Sequence, residues 1–329
     1  MNPRLVIVAL LGAGLAAYLV FYVGFAAVLS AALAVGWGGF VLLVALGLAL
    51  FVLLGAAWHV LVQGVTLSRF AVFVWGRMVR DSASEVLPFS QVGGFVIGAR
   101  ALTLKGIAPP VAFGSTIVDV TTEMMAQIAY VVLGIVLLVL RAPEAAYTAS
   151  LTGVLVVGVI AAAIAGSLFI VVQRSGLWIT ENLASRWLPE ALAHATAVAT
   201  AIDAMYRAPA RIGLSFAIHF LGWLASAGLT FLTFSLMGAS VDLAAVVVID
   251  SLVYAARSAA FVVPNALGVQ EAAFAVLASL FGVGPELGVA VSLLKRARDI
   301  AIGAPILLAW QAMEGSHALA ADRNLLKTE

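Results

Sequence analysis

The chain has no cysteine, which removes disulfides, thiol catalysis and zinc–thiolate sites from consideration. Charge is nearly as scarce. Of its 329 residues only 10% are Asp, Glu, Lys or Arg, 64% are hydrophobic, and mean hydropathy is +1.15. That is too little polar surface to cover a soluble globule, so the chain reads as an integral membrane protein. No formal charge falls between Arg4 and Arg69, a run long enough for about two helices of roughly 20 residues each plus an interfacial piece. Its apolarity continues beyond the roughly 7–15 residues of a cleaved signal, so the first helix is expected to be retained. A net charge of +1 with no basic stripe gives no reason to expect nucleic acid. His59, His194, His219 and His317 are dispersed without ligand spacing, and no metal or cofactor is expected. The glycines at 93, 94 and 98 follow no strand, and neither a P-loop nor a Gly-x-Ser-x-Gly elbow occurs, which speaks against nucleotide hydrolysis.

What is present is a series of apolar runs near 5–24, 39–63, 112–140, 149–172, 212–237 and 285–313, all helical by length. Arg69, Arg77 and Arg80 follow the second run, Arg174, Arg186, Arg207 and Arg211 the fourth, and Arg323 and Lys327 the last. These connecting segments are assigned to the cytoplasm, with both termini on that side of a bacterial inner membrane. If 243–262 and 272–294 were both full crossings, Lys295, Arg296 and Arg298 would emerge on the outer side. Re-entrant segments at 86–105 and 243–284 avoid this, and 285–313 then becomes one long helix with Arg296 and Arg298 near its middle. The expected fold is an all-α polytopic membrane protein of about six full spans plus two re-entrant or broken helical segments. Residues 1–313 form one transmembrane domain, with a polar tail at 314–329. Its halves, 1–141 and 148–313, repeat the same order from opposite sides, which points to an inverted-topology repeat. The insertion at 173–211, with Trp178, Trp187 and Tyr206, reads as a cytoplasmic interfacial helix-rich loop.

Two stretches combine proline, glycine and charge where a span should be featureless. One runs from Glu85 through Pro88, Gln91, Gly93 and Gly94 to Arg100, and the other from Arg257 through Pro264, Asn265 and Gly268 to Gln270 and Glu271. In lipid an ionisable side chain near mid-depth costs about 2.5–3.5 kcal/mol by insertion scales, so such segments belong in protein-lined cavities. Asp119 and Glu123, four apart, share a helical face; they suit proton binding, or they pair with Arg100 or Lys105 to hold the fold. Asp250, Tyr254 and Arg257 form a stripe leading into the second break. Arg296 and Asp299, three apart, read as a structural pair that leaves Arg298 or Lys295 for a ligand. Arginine's planar donor fork suits a phosphate or carboxylate headgroup.

Trp58-His59, Pro88-Phe-Ser-Gln-Val-Gly93-Gly94 with Arg100, the Asp119/Glu123 helix and Pro264-Asn-Ala-Leu-Gly268-Val-Gln-Glu271 together resemble the flippase-like superfamily that includes the membrane domain of lysyl-phosphatidylglycerol synthase. The subgroup most similar is the hopanoid-biosynthesis-associated integral membrane proteins. The resemblance implies a protein that moves or presents amphipathic lipids, a hopanoid or phospholipid, with lipid-synthesis enzymes as partners. Relatives often carry Pro-Gly-Gly-Leu-Gly where this chain has Pro264-Asn-Ala-Leu-Gly268, so a stiffer hinge is expected. The synthase's soluble aminoacyltransferase domain is absent from the chain, and lysyl transfer is not implied.

The leading expectation is a lipid transporter without catalytic residues. Arg100, Arg257, Arg296, Arg298, Gln91 and Asn265 would bind the headgroup. Glu85, Asp119, Glu123 and Glu271 would serve as counter-ions or proton relay, and Pro88, Gly93, Gly94, Pro264 and Gly268 as hinges. The rival is a membrane-embedded headgroup-modifying enzyme with Glu271 or Asp119 as general base. A third reading is a scaffold docking lipid-synthesis enzymes through 173–211.

Overall fold

The structure, a computed structural model, describes residues 33, 35–86, 91–141, 189–260 and 264–325. Among them the chain is all helix and turn. The helices are α1 (Gly36–Leu61), α2 (Phe70–Val86), α3 (Gln91–Leu104), α4 (Pro109–Arg141), α5 (Pro189–Tyr206), α6 (Pro209–Leu236), α7 (Leu243–Ala259), α8 (Val269–Ser279) and α9 (Pro285–Leu325). Short 3₁₀ turns cover Leu67–Arg69 and Pro264–Ala266. Of these helices α1, α4 and α6 are long and apolar enough to cross a membrane. The expected spans at 5–24 and 149–172, and the tryptophans Trp178 and Trp187, lie outside the described residues.

Local chemistry sets the boundaries. Four helices, α4, α5, α6 and α9, begin at a proline, which lacks the amide hydrogen that a helix start leaves unpaired anyway and already holds a helical φ. The α3–α4 turn passes through Gly106 at φ +85°, a left-handed conformation cheap for glycine and costly for other residues. Asp242 caps α7 by accepting from the Ala245 amide at 3.0 Å.

Two expectations need correction. Arg77 and Arg80 are not loop residues after a span; they lie inside α2 and are buried. The first broken segment therefore begins near residue 70, as a pair of short helices, α2 and α3. Helix α9 continues from the apolar run into the polar tail as far as Leu325.

The two halves correspond element by element. A long helix, two short helices and a second long helix occur as α1, α2, α3, α4 and again as α6, α7, α8, α9. The packing follows the same scheme: α2 lies on α9 and α7 on α4, α3 on α4 and α8 on α9, and α1 on α6. The corresponding helices α1 and α6 run antiparallel. Gly39, near the start of α1, faces Leu236 at the end of α6; Leu54 faces Gly222; and Arg211 at the start of α6 donates to the Val60 carbonyl at 2.9 Å. An antiparallel match of equivalent helices is the arrangement an inverted-topology repeat requires.

Hydrophobic burial alone gives little drive for helices to associate in lipid, so close approach through small residues matters more. A Cβ on Gly55 would meet the Val74 backbone at 2.7 Å, one on Gly134 the Ser251 hydroxyl at 1.8 Å, and one on Gly288 the Phe274 carbonyl at 2.6 Å. These contacts fix α1 to α2, α4 to α7 and α8 to α9. They also bring the charged faces described next into register. The insertion contributes α5, whose Val198, Ile202 and Met205 pack in a cluster with Trp58, Leu102 and Val118.

Candidate functional site

Two ion-pair clusters occupy corresponding places in the two halves. In the first half, α2 supplies Arg77, Arg80 and Asp81, and α4 supplies Asp119 and Glu123. Arg77 pairs with Glu123, with Asp81 at 2.7 Å and with Asp119 at 3.3 Å. Arg80 reaches Asp119 at 2.6 Å, Glu123 at 2.5 Å and Asp81 at 3.0 Å. Its guanidinium also lies 5.7 Å from the ring centroids of both Trp58 and Phe95. The remaining oxygen of Asp119 faces His219 Nε2 of α6 at 2.9 Å. Asp119 is thus fully buried, at 0% exposure, yet engaged on both oxygens. Such a group is tolerable only when paired and hydrogen-bonded.

The second half has one-to-one pairs. Lys295 of α9 donates to Asp250 of α7 at 2.7 Å and to the Thr230 hydroxyl at 2.8 Å, while Tyr130 and Thr230 donate to the same carboxylate. Arg296 pairs with Glu271 of α8 at 2.5 Å. Arg257, at the end of α7, reaches Glu85 at 2.7 Å and the Gln270 amide oxygen at 2.8 Å. Arg298 pairs with its neighbour Asp299 at 2.7 Å.

The second break is built around Asn265 and Ala266, which hold φ +49° and +46°. Non-glycine residues there cost on the order of 1–3 kcal/mol and persist when surrounding contacts over-determine them. Those contacts are visible. Arg296 donates to the carbonyl of Asn265 at 3.3 Å and to that of Ala266 at 3.5 Å. Asn265 Nδ2 donates to the Glu85 carbonyl at 2.7 Å, and Asn265 Oδ1 accepts from Arg257 at 3.3 Å. Glu271 accepts from the Gly268 amide at 2.8 Å, and Gly268 takes φ +78° to allow it. Glu85 therefore joins the end of α2 to the second break through both its carboxylate and its backbone. Through Glu85 the end of the first short helix thus touches the second broken segment.

The expected site residues separate into those brought together and those left apart. Glu85, Arg257, Asn265, Glu271 and Arg296 form one connected network, and Gly268 shapes its turn. Asp119 and Glu123 form the first-half cluster with Arg77 and Arg80, rather than with Arg100 or Lys105. Arg100 lies elsewhere: it is 48% exposed and pairs with Glu314 at 2.8 Å. Arg296 does not pair with Asp299, which Arg298 takes, and Lys295 pairs with Asp250. Of the expected hinges, Pro88 lies outside the described residues. Gly93 and Gly94 sit in the first turn of α3, where a Cβ on Gly94 would meet the Arg80 carbonyl at 2.7 Å. Gln91 also begins α3 and Pro264 begins the 3₁₀ turn.

Sequence reasoning missed Arg77, Arg80 and His219. The spacing Arg77, Arg80, Asp81 at three and four residues was a usable helical signal. His219 offered none, since its partner Asp119 is 100 positions away.

The family model described as the lysylphosphatidylglycerol synthase TM region matches residues 6–306. The chain belongs to that family. No curated protein and no solved structure matches it. Membership and the apolar helices together make it a multi-pass membrane protein of a family tied to lipid modification and transport.

Proposed function

We propose that the protein is a lipid transporter of the bacterial inner membrane that passes the polar headgroup of an amphipathic lipid through the meeting point of its two broken segments. The observation that carries this reading is the junction of Glu85 with Arg257 and Asn265, where segments from opposite halves close on one another. The α2–α3 and α7–α8 pairs act as re-entrant segments entering from opposite faces. The headgroup contacts Arg257, Arg296, Arg298 and Asn265 while the tails stay in the bilayer. Glu85, Glu271 and Asp299 hold the same cations when no headgroup is present, so a ligand exchanges one set of charge-assisted bonds for another instead of meeting bare charge. Rocking of one half against the other opens the junction to each side in turn. The sequence resemblance makes a hopanoid with a polar headgroup the first lipid to test, with both termini cytoplasmic.

A headgroup-modifying enzyme would use Glu271 or Asp119 as a base, but each accepts from a cation here and would first have to be released. Purified protein in liposomes tests the proposal. A labelled lipid should change leaflet with its mass unaltered, and Glu271→Gln or Arg296→Ala should abolish the change while detergent-solubilised protein stays monodisperse. Altered lipid mass would establish the enzyme instead. Neither effect, in protein that remains folded, would leave a scaffold.

A further inference from the structure

Every cation of the two clusters has a carboxylate partner, but the count is uneven in one of them. Arg77 and Arg80 face Asp81, Asp119 and Glu123. Two positive charges meet three negative ones, and the sixth ionisable member of the group is the buried imidazole of His219. Its Nε2 lies 2.9 Å from Asp119, which accepts only, so Nε2 carries the hydrogen and Nδ1 presents a lone pair in the neutral ring. Nδ1 is buried and has no hydrogen-bond partner. In a medium of low dielectric, an excess negative charge and a free proton-accepting nitrogen on the same hydrogen-bonded pair are complementary.

We propose that His219 is a proton-binding site. Uptake of one proton at Nδ1 converts it to imidazolium, with both ring nitrogens as donors, and brings the cluster from one net negative charge to zero. Glu123 and Asp81 are the partly exposed members of the group.

The charged and titratable groups around α6, among the described residues, are few. From α4 the facing charged groups are Asp119 and Glu123, and from α2 they are Arg77, Arg80 and Asp81. On α1 the only titratable group is His59, near its end and directed at the Thr66 carbonyl. α7 presents Tyr254 a turn further along, against Trp223 and Ser226, and α9 reaches α6 through Lys295 at Thr230. α5 carries Asp203, which is exposed, and Tyr206; on α6 itself Arg211 is exposed and donates to Val60.

The inference goes beyond lipid movement and needs none of it. The test is a pH titration, from about 5 to about 9, of carbon-13-labelled histidine in detergent-solubilised protein carrying His59→Gln, His194→Gln and His317→Gln, followed by NMR. His219 is then the sole imidazole; the three single substitutions give the same assignment by elimination. One titration step is expected. Asp119→Asn should weaken proton binding about tenfold and Glu123→Gln by less, since a neighbouring negative charge favours the imidazolium. An imidazole held in one tautomer throughout, or a midpoint indifferent to both substitutions, overturns the proposal. Liposomes then separate the two readings. If labelled lipid moves in the wild type, His219→Gln should lose the response to an imposed pH gradient; if no lipid moves, transport fails while a titrating His219 still stands.

Discussion

The two halves place charge at matching positions and give it opposite sign. Arg77 is the eighth residue of α2 and Asp250 the eighth of α7; Asp119 is the eleventh of α4 and Lys295 the eleventh of α9. In the first half the short helix is cationic and the long helix anionic, and in the second the roles are exchanged. Aromatic rings flank the cation in both, Trp58 and Phe95 around Arg80, and Tyr254 and Phe274 around Lys295. What the repeat preserves is thus a neutralised polar link between a short and a long helix, whichever sign each bears. What it does not preserve is redundancy. The first cluster is a mesh in which each arginine touches three carboxylates, whereas the second is a chain of single pairs.

That difference predicts unequal damage from equal substitutions. Asp250→Asn removes the one carboxylate beside Lys295 among the described residues and leaves a buried ammonium with neutral partners alone, the Thr230 hydroxyl, the new amide and the rings of Tyr254 and Phe274. A loss of about 3–5 kcal/mol is expected, the usual cost of breaking a buried pair by deleting one partner. Asp119→Asn leaves Glu123 and Asp81 on both arginines and relieves the excess charge, so the loss should be nearer 1–3 kcal/mol. Thermal unfolding in detergent compares the two. Equal losses would mean that the mesh has no buffering effect. The double exchange Asp250→Lys with Lys295→Asp should recover at least half of the single-mutant loss if sign is interchangeable at this link, a coupling of the size that double-mutant cycles resolve.

How far the sequence revealed this arrangement follows from where its partners lie. The apolar runs that became α1, α4, α6 and α9 are local facts, and so are the breaks at Pro264 to Gly268. The pairing of Glu271 with Arg296 was also within reach, because an intramembrane charge needs a counter-ion and few were on offer. Arg77 and Arg80 were misplaced for a physical reason. Several charges so close together depress the apolarity of α2 to that of a loop, and only the carboxylates of α4, some 40 positions on, make it fit for burial. The order of long and broken segments was legible in both halves, but the exchange of sign gives equivalent positions unlike residues, so the correspondence does not extend to residue identity.

The tips of the broken segments sharpen the comparison further. Gly94 is the fourth residue of α3, and the fourth of α8 is Ala272. The first half requires glycine because α2 and α3 lie in direct contact, with the Ser84 hydroxyl 2.1 Å from where a Cβ would stand. In the second half α7 and α8 also pack together, through Ile249, Val253, Phe274 and Ala278, but there the fourth position of the second short helix already carries a methyl as Ala272. Gly94→Ala should therefore cost about 1–3 kcal/mol, the range for overpacking a tight contact, and a matched Ala272→Gly should cost no more than about 1 kcal/mol, its helix-propensity penalty. Unfolding midpoints of the two variants, measured side by side, decide whether the first tip is the stiffer of the two.

The smallest stability effect is expected where the halves join. Glu85 is 32% exposed at its side chain and its partner Arg257 keeps bonds to Gln270 and Asn265 if the carboxylate is neutralised. Glu85→Gln should thus alter stability by less than about 1 kcal/mol, as for other solvated pairs. Asn265 also binds the Glu85 carbonyl, which the substitution leaves in place. The effect should appear instead in motion: weakening one of the bonds that cross the junction favours its open states, so hydrogen exchange at Asn265, Ala266 and Gly268 should rise severalfold over wild type while exchange along α1 and α6 stays unchanged. Faster exchange confined to that turn would mark Glu85 as the latch between the halves. A uniform rise across the helices would instead make it one more contributor to the stability of the bundle, and the meeting of the two broken segments would lose its claim to be the moving part.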